Sequence, residues 1–93
     1  MFIGVLTLEL YIPGAESLKD RRMVVQSVLD RIRERFNVSA AQLDVEGLWQ
    51  RASIGVAVIS NEKPVVDRVL NHVRDFVERD SRCDVCECRV EIL

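Results

Sequence analysis

Histidine, proline, glycine and aromatic residues are all scarce in this chain, and each scarcity removes a class of function. The single histidine, His72, falls on the polar side of a predicted helix with no serine or cysteine nucleophile placed near it. A Ser–His–acid constellation cannot be assembled. Only Gly14 follows the first predicted strand, beside Pro13, which has no N–H to offer. A glycine-rich cradle for phosphoryl chemistry is therefore missing. Aromatics make up 5% of the residues, and none falls at the centre of the first or third predicted strand. Base stacking on a sheet face in the manner of an RNA-recognition motif is excluded.

Cysteine is present but in the wrong number. Cys83, Cys86 and Cys88 form an odd set with no fourth ligand for a closed zinc site and no even count for a disulfide framework. Strand alternation assigns Cys86 and Cys88 to the apolar face with Val90 and Ile92, as small hydrophobes, and leaves Cys83 apart, exposed and oxidisable. Asp44 and Glu46 flank a predicted turn and are not paired across a cleft as acid and base. These residues imply no metal, no cofactor, no catalytic group and no disulfide-linked partner. The opening stretch, MFIGVLTLELYI, is far shorter than a bilayer span and carries neither a basic leader nor a small-residue cleavage site. The expectation is a reduced, cytoplasmic protein without a membrane partner and without enzymatic activity.

What is there is the composition of one folded domain. The 93 residues are 48% hydrophobic and 30% charged, enough for one core spanning 1–93 and too few for two. The net charge of −2 does not advertise a polyanion partner, but the charge is uneven: residues 17–36 carry six bases and three acids, about +3, and the remainder is near −5.

Hydrophobic periodicity divides the chain into six elements. From Phe2 to Ile12 the even positions are nearly all apolar, a period of two that predicts a strand, ended by Pro13–Gly14. Ser17 is the N-cap of a helix whose apolar stripe is Leu18, Val25, Val28, Leu29, Ile32 and Phe36, with Asp20 placed for a capping box. Residues 38–45 read as a weaker strand, Glu46 and Gly47 as a turn, and 50–60 as a strong strand with Ala, Ile, Val and Val on its even face. SNEKP caps a second helix with the stripe Val66, Val69, Leu70, Val73, Phe76 and Val77. The last strand runs from Asp84 to Leu93.

Strand, helix, strand, strand, helix, strand, with one apolar stripe per helix, predicts an α+β fold. The architecture is a ferredoxin-like βαββαβ sandwich: a four-stranded antiparallel sheet in the order four-one-three-two, with both helices on one face. This topology brings IPGAESLKDRR, LWQR and RDSRC to one end of the sheet. Lys19, Arg21 and Arg22 stand in the first turns of the helix, where the macrodipole disfavours cations, so helix stability does not account for them. Lys19, Arg22, Gln26 and Arg33 line one flank of the stripe. Side-chain parity sets Tyr11, Arg51 and Trp49 together at the same end, on the open face. Lys19, Arg21, Arg22, Arg33, Trp49, Arg51 and Tyr11 are the candidate anion- or RNA-binding residues; a solvated basic face is the commoner outcome for such a run. The open face, with Ile3, Val5, Thr7, Gly55 and Ala57, is the candidate interface of a homo-oligomer.

The segments IPGAESLKDRRMVVQSVLDRIRERFNVS and LWQRASIGVAVIS resemble the YlxP-like family of small uncharacterised bacterial proteins, over essentially the whole chain. That resemblance implies a ferredoxin-like fold and gene neighbours concerned with translation initiation and ribosome maturation. It supplies no catalytic residue to carry over. The expectation it supports is a non-catalytic module that binds ribosomal RNA or ribosomal particles. The alternatives are a scaffold that self-associates through the open sheet face and a sensor of an anion or small metabolite at the first helix start.

Overall fold

Four strands and two helices follow one another as β1 (Phe2–Tyr11), α1 (Leu18–Arg35), β2 (Ser39–Gln42), β3 (Arg51–Ser60), α2 (Lys63–Glu78) and β4 (Asp84–Ile92). The computed structural model describes residues 1–43 and 48–93. The predicted turn at Glu46–Gly47, the end of the predicted second strand and the acids Asp44 and Glu46 lie outside the described residues. The sheet order is β2-β3-β1-β4, and every neighbouring pair is antiparallel. The expected ferredoxin-like topology is realised.

The even positions of β1 and β3 face the helices. Leu6, Leu8, Leu10, Ala52, Ile54 and Val56 are almost completely buried against Val25, Val28 and Ile32 of α1 and Val66, Leu70 and Val73 of α2. Each such side chain withdraws on the order of 1.5–3 kcal/mol of apolar surface from water, which makes this two-layer contact the principal source of stability. Leu18, expected on the buried stripe, is 48% exposed, whereas Arg21 in the same turn is buried. β1 and β3 pair in continuous register from Phe2↔Ser60 to Tyr11↔Arg51.

The α1 start is closed by its own side chains. The Ser17 hydroxyl accepts the Asp20 N–H at 3.1 Å, and the Asp20 carboxylate accepts the Glu16 N–H at 3.0 Å. The capping box forms one residue earlier than its usual version, which returns to the N-cap N–H. At α2 the N-cap is Glu62, without a side-chain cap; the Ser60 hydroxyl instead accepts the Glu62 N–H at 3.1 Å. Among the described residues no helix is long and apolar enough to cross a membrane.

β4 departs from simple alternation. It pairs with β1 from Gly4↔Ile92 to Glu9↔Glu87, and then from Leu10↔Val85, so that Cys86 is an extra residue with no partner of its own. This is a β-bulge, and it reverses which side chains face the helices on either side of it. Cys83 is thereby turned inward and is 3% exposed, whereas Cys86 and Cys88 are exposed. The burial expected from uninterrupted alternation is corrected for all three cysteines, and the face for Cys86. Cys86 is displaced by the bulge. Cys88 stays on the helix side opposite Leu8, but β4 is an edge strand that packs against the core only near its ends, through Val85 and Ile92.

Candidate functional site

At the end of the sheet where β1 finishes and β3 and β4 begin, Tyr11 is opposite Arg51 on one side and Asp84 on the other. The Arg51 guanidinium lies over the Tyr11 ring, 5.4 Å from its centroid, and reaches across to the Cys86 sulfur at 3.6 Å. The expected neighbourhood of Tyr11 and Arg51 on the open face is present, and the bulge adds Cys86 to it. Trp49, in the turn before β3, is half exposed.

Arg21 is corrected. It is 6% exposed, and its Nη1 donates to the carbonyl oxygens of Arg51 at 3.0 Å and Leu48 at 3.4 Å. Its guanidinium is therefore spent inside the protein, holding the turn that carries Trp49 against the start of α1. It cannot also receive a ligand. The two segments do meet, as topology requires, but through a buried structural contact. A sequence signal for this existed: Arg21 lies four and seven residues before Val25 and Val28, on the apolar stripe itself.

Lys19 and Arg22 are exposed. Neither they nor Arg51 forms an ion pair with a described residue, whereas Lys63, Arg74, Arg82 and Arg89 each sit within 4 Å of a carboxylate. Arg33 is exposed but committed elsewhere, donating to Asp30 at 3.3 Å and to the Ala40 carbonyl oxygen, which ties the lower half of α1 to β2. It is separated from the other candidates. The RDSRC segment meets α1 at mid-helix, through Arg82 to the Ser27 hydroxyl at 3.1 Å and Asp80 beside Arg31 at 3.9 Å. The Arg82 side chain bonds Asp80 at 2.7 Å and holds that carboxyl below its ordinary range.

On the open face, Ile3, Val5, Thr7, Gly55 and Ala57 are each partly exposed. Two local arrangements shape this face. Leu43 lies across Gly55, where an added Cβ would come within 3.0 Å of it. Ser53 donates to Glu9, which also pairs with Arg89 at 3.8 Å.

A shallow cleft of about 440 Å³ opens between the helices, lined by Arg35, Phe36, His72, Asp75, Phe76 and Arg79. Phe36 and Phe76 meet edge to face with centroids 5.7 Å apart, and Arg35 covers the Phe76 ring at 5.3 Å. His72 is on the surface here, with no serine or cysteine in the lining. Among the described residues no group of three or more His, Cys, Asp or Glu could hold a metal ion.

The thiols separate by environment. Burial, with a further contribution from the Asp80 carboxylate, pushes the Cys83 thiol up to about 11, which suppresses the reactive thiolate. An aromatic disulfide reagent at pH 8 is expected to label Cys86 and Cys88 rapidly and Cys83 only when the protein unfolds. Rapid labelling of all three thiols in native buffer would show that the bulge does not bury Cys83.

Comparison with known proteins places the chain. Over 76 residues it is 34% identical to the "Uncharacterized protein YlxP" of Bacillus subtilis (strain 168), covering 82% of this chain and 83% of that one. Among solved structures it is similar to the structured domain of Drosophila melanogaster Boca. The TM-score is 0.61 at 11% identity, over 94% of this chain and 95% of that one. It is also similar to the de novo designed protein Foldit4, with a TM-score of 0.57 at 13% identity over 100% and 97% of the two chains. A further designed protein with a ferredoxin fold matches with a TM-score of 0.50 at 9% identity, over 99% and 84%. At these identities the structural likenesses carry the fold alone. Residues 3–90 match the family described as "Protein of unknown function (DUF503)", and the chain belongs to that family.

Proposed function

We propose that this protein is a non-catalytic module that binds RNA, as part of ribosomal particles, through the ridge formed by Lys19, Arg22, Trp49, Arg51 and Tyr11. The observation that carries this reading is the Arg21 clamp. By fixing the Leu48–Arg51 turn to α1, it presents a half-exposed indole and a ring-stacked arginine at the same end of the fold as two exposed cations. Arginine suits phosphate oxygens through its planar fork, and an exposed aromatic offers a face on which an unpaired base can stack. The capped α1 start argues against a bare helix-end anion hole, since the Ser17 hydroxyl already accepts the Asp20 N–H and the Asp20 carboxylate places a negative charge beside it.

The ridge is small, so affinity will come from a few phosphate contacts and will fall steeply with salt. Trp49 is the sole tryptophan, and its fluorescence reports directly on binding. The double variant Arg22→Glu with Arg51→Glu is expected to weaken binding of a single-stranded RNA at low salt by at least about tenfold. It is also expected to abolish co-sedimentation with ribosomal particles. Unchanged fluorescence titration and unchanged co-sedimentation of the double variant would refute the assignment.

A further inference from the structure

We infer that the outer edge of β4 is where a second copy of this chain docks, extending the two four-stranded sheets into one across a two-fold axis at Val90. The surface is independent of the RNA ridge. β4 is an edge strand, and an edge strand presents a row of unpaired backbone groups that template another strand. Which groups those are follows from the ladder. Ile3 and Leu93 exchange both backbone hydrogen bonds, at 3.1 and 2.7 Å. In an antiparallel ladder such pairs alternate, so Glu91, Arg89 and Glu87 bond inward to β1. The N–H and C=O groups of Cys88, Val90 and Ile92 face outward.

The side chains of those same three residues lie on the helix side, opposite Leu8, Leu6 and Gly4; Ile92 is partly buried against the core, and the other two are not. Val90 is 50% exposed and Cys88 is exposed. An apolar row and a free backbone edge therefore coincide on one strand.

The charges on the other side of β4 decide the occupant and the register. A two-fold axis perpendicular to the sheet must pass through a residue, because successive side chains alternate in face. With the axis at Arg89, the arginine would oppose its own copy and Glu87 would oppose Glu91, which is repulsive throughout. With the axis at Cys88, Glu87 would meet Arg89 of the partner, but the ladder would run into the bulge at Cys86. With the axis at Val90, Arg89 meets Glu91 twice, Cys88 meets Ile92 twice, and the segment from Glu87 to Leu93 pairs without interruption. Arg89 is held in the open by Glu9 at 3.8 Å, and Glu91 forms no ion pair with a described residue. This self-complementary pattern is what a second copy needs and what an unrelated strand would not.

The test is oligomeric mass by light scattering and sedimentation equilibrium on the intact protein. The wild type is expected to be a dimer in the micromolar range. E91R places two like-charge pairs in each dimer and is expected to raise the dissociation constant at least about tenfold, with restoration when R89E is added. Val90→Pro removes the two N–H groups at the axis and no bond to β1, so it is expected to give a folded monomer without any change of charge. A monomeric wild type at several hundred micromolar would overturn the inference. So would a dimer indifferent to E91R and Val90→Pro, which, if Ala57→Glu dissolved it, would place the interface on the open sheet face. Failure of R89E to restore the E91R dimer would overturn the Val90 register.

Discussion

Arg21→Ala is expected to lower the stability of the fold by about 3 kcal/mol, more than any other exchange among the basic residues of α1. The side chain is 6% exposed and donates to two backbone carbonyls of the Leu48–Arg51 segment. Hydrogen bonds from a charged donor are each worth roughly 1.5–3 kcal/mol. Arg21→Lys would recover part of the loss, because both carbonyls accept from the single nitrogen Nη1 and an ammonium also offers several donors from one nitrogen, though on a more flexible stem. Arg22→Ala, one residue along and exposed, is expected to change stability by no more than about 0.5 kcal/mol. Urea unfolding followed by Trp49 fluorescence separates these cases. For Arg21→Ala the native emission itself should shift towards that of solvated indole, since the turn carrying Trp49 loses its anchor. Equal midpoints for Arg21→Ala and Arg22→Ala would show that the clamp contributes nothing.

Gly4→Val is expected to be of similar size for the opposite reason, excess volume. Gly4 lies on the helix side of β1, buried, and a Cβ built there would collide with Val66 Cγ1 and approach Leu70 Cδ1 to 2.8 Å. Glycine in a strand interior is normally a weakness; here it is what allows α2 to lie close on the sheet. Overpacking a filled core costs on the order of 1–3 kcal/mol, and valine, larger than alanine, should reach the upper end. The clash is with a named neighbour, so the decisive measurement is a double-mutant cycle with Val66→Ala. Removing two methyl groups from Val66 makes room for the new side chain, and the double variant should be more stable than the two single costs predict, by about 1 kcal/mol or more. Additive free energies would mean that α2 does not approach β1 through this pair.

Most of the architecture was legible in the sequence because it rests on periodicity. The alternation of Leu6, Leu8 and Leu10, and of Ala52, Ile54, Val56 and Val58, could satisfy only a strand with one buried face. The spacing of Val25, Val28, Leu29 and Ile32 could satisfy only a helix lying on it. Ser17 and Asp20 announced the α1 start by their chemistry. Leu18 and the Glu62 cap were missed by one element of context each. A stripe predicts burial only where a sheet lies beneath it, and a capping residue is chosen by backbone angles that composition does not reveal.

The candidate site was legible in its location and not in its membership. Topology brought Tyr11, Arg51, Trp49 and the start of α1 to one end, as strand directions require. Whether a given cation there faces water or carbonyl oxygens depends on the depth of the helix against the turn, and that removed Arg21 from the surface. Arg33 left the group because a carbonyl of β2 lay within its reach.

By itself, the sequence determined the number and kind of elements, their order and hence the fold, because each follows from local pattern and from the handedness of short connections. Only the tertiary structure decided the state of the three cysteines, the role of Arg21 and the open edge of β4. A single inserted residue, Cys86, reverses side-chain parity along the strand that contains it, and the shortfall in helix coverage leaves Cys88 and Val90 unroofed. Both are properties of how elements are matched against one another across the sheet, where distance along the chain carries no information.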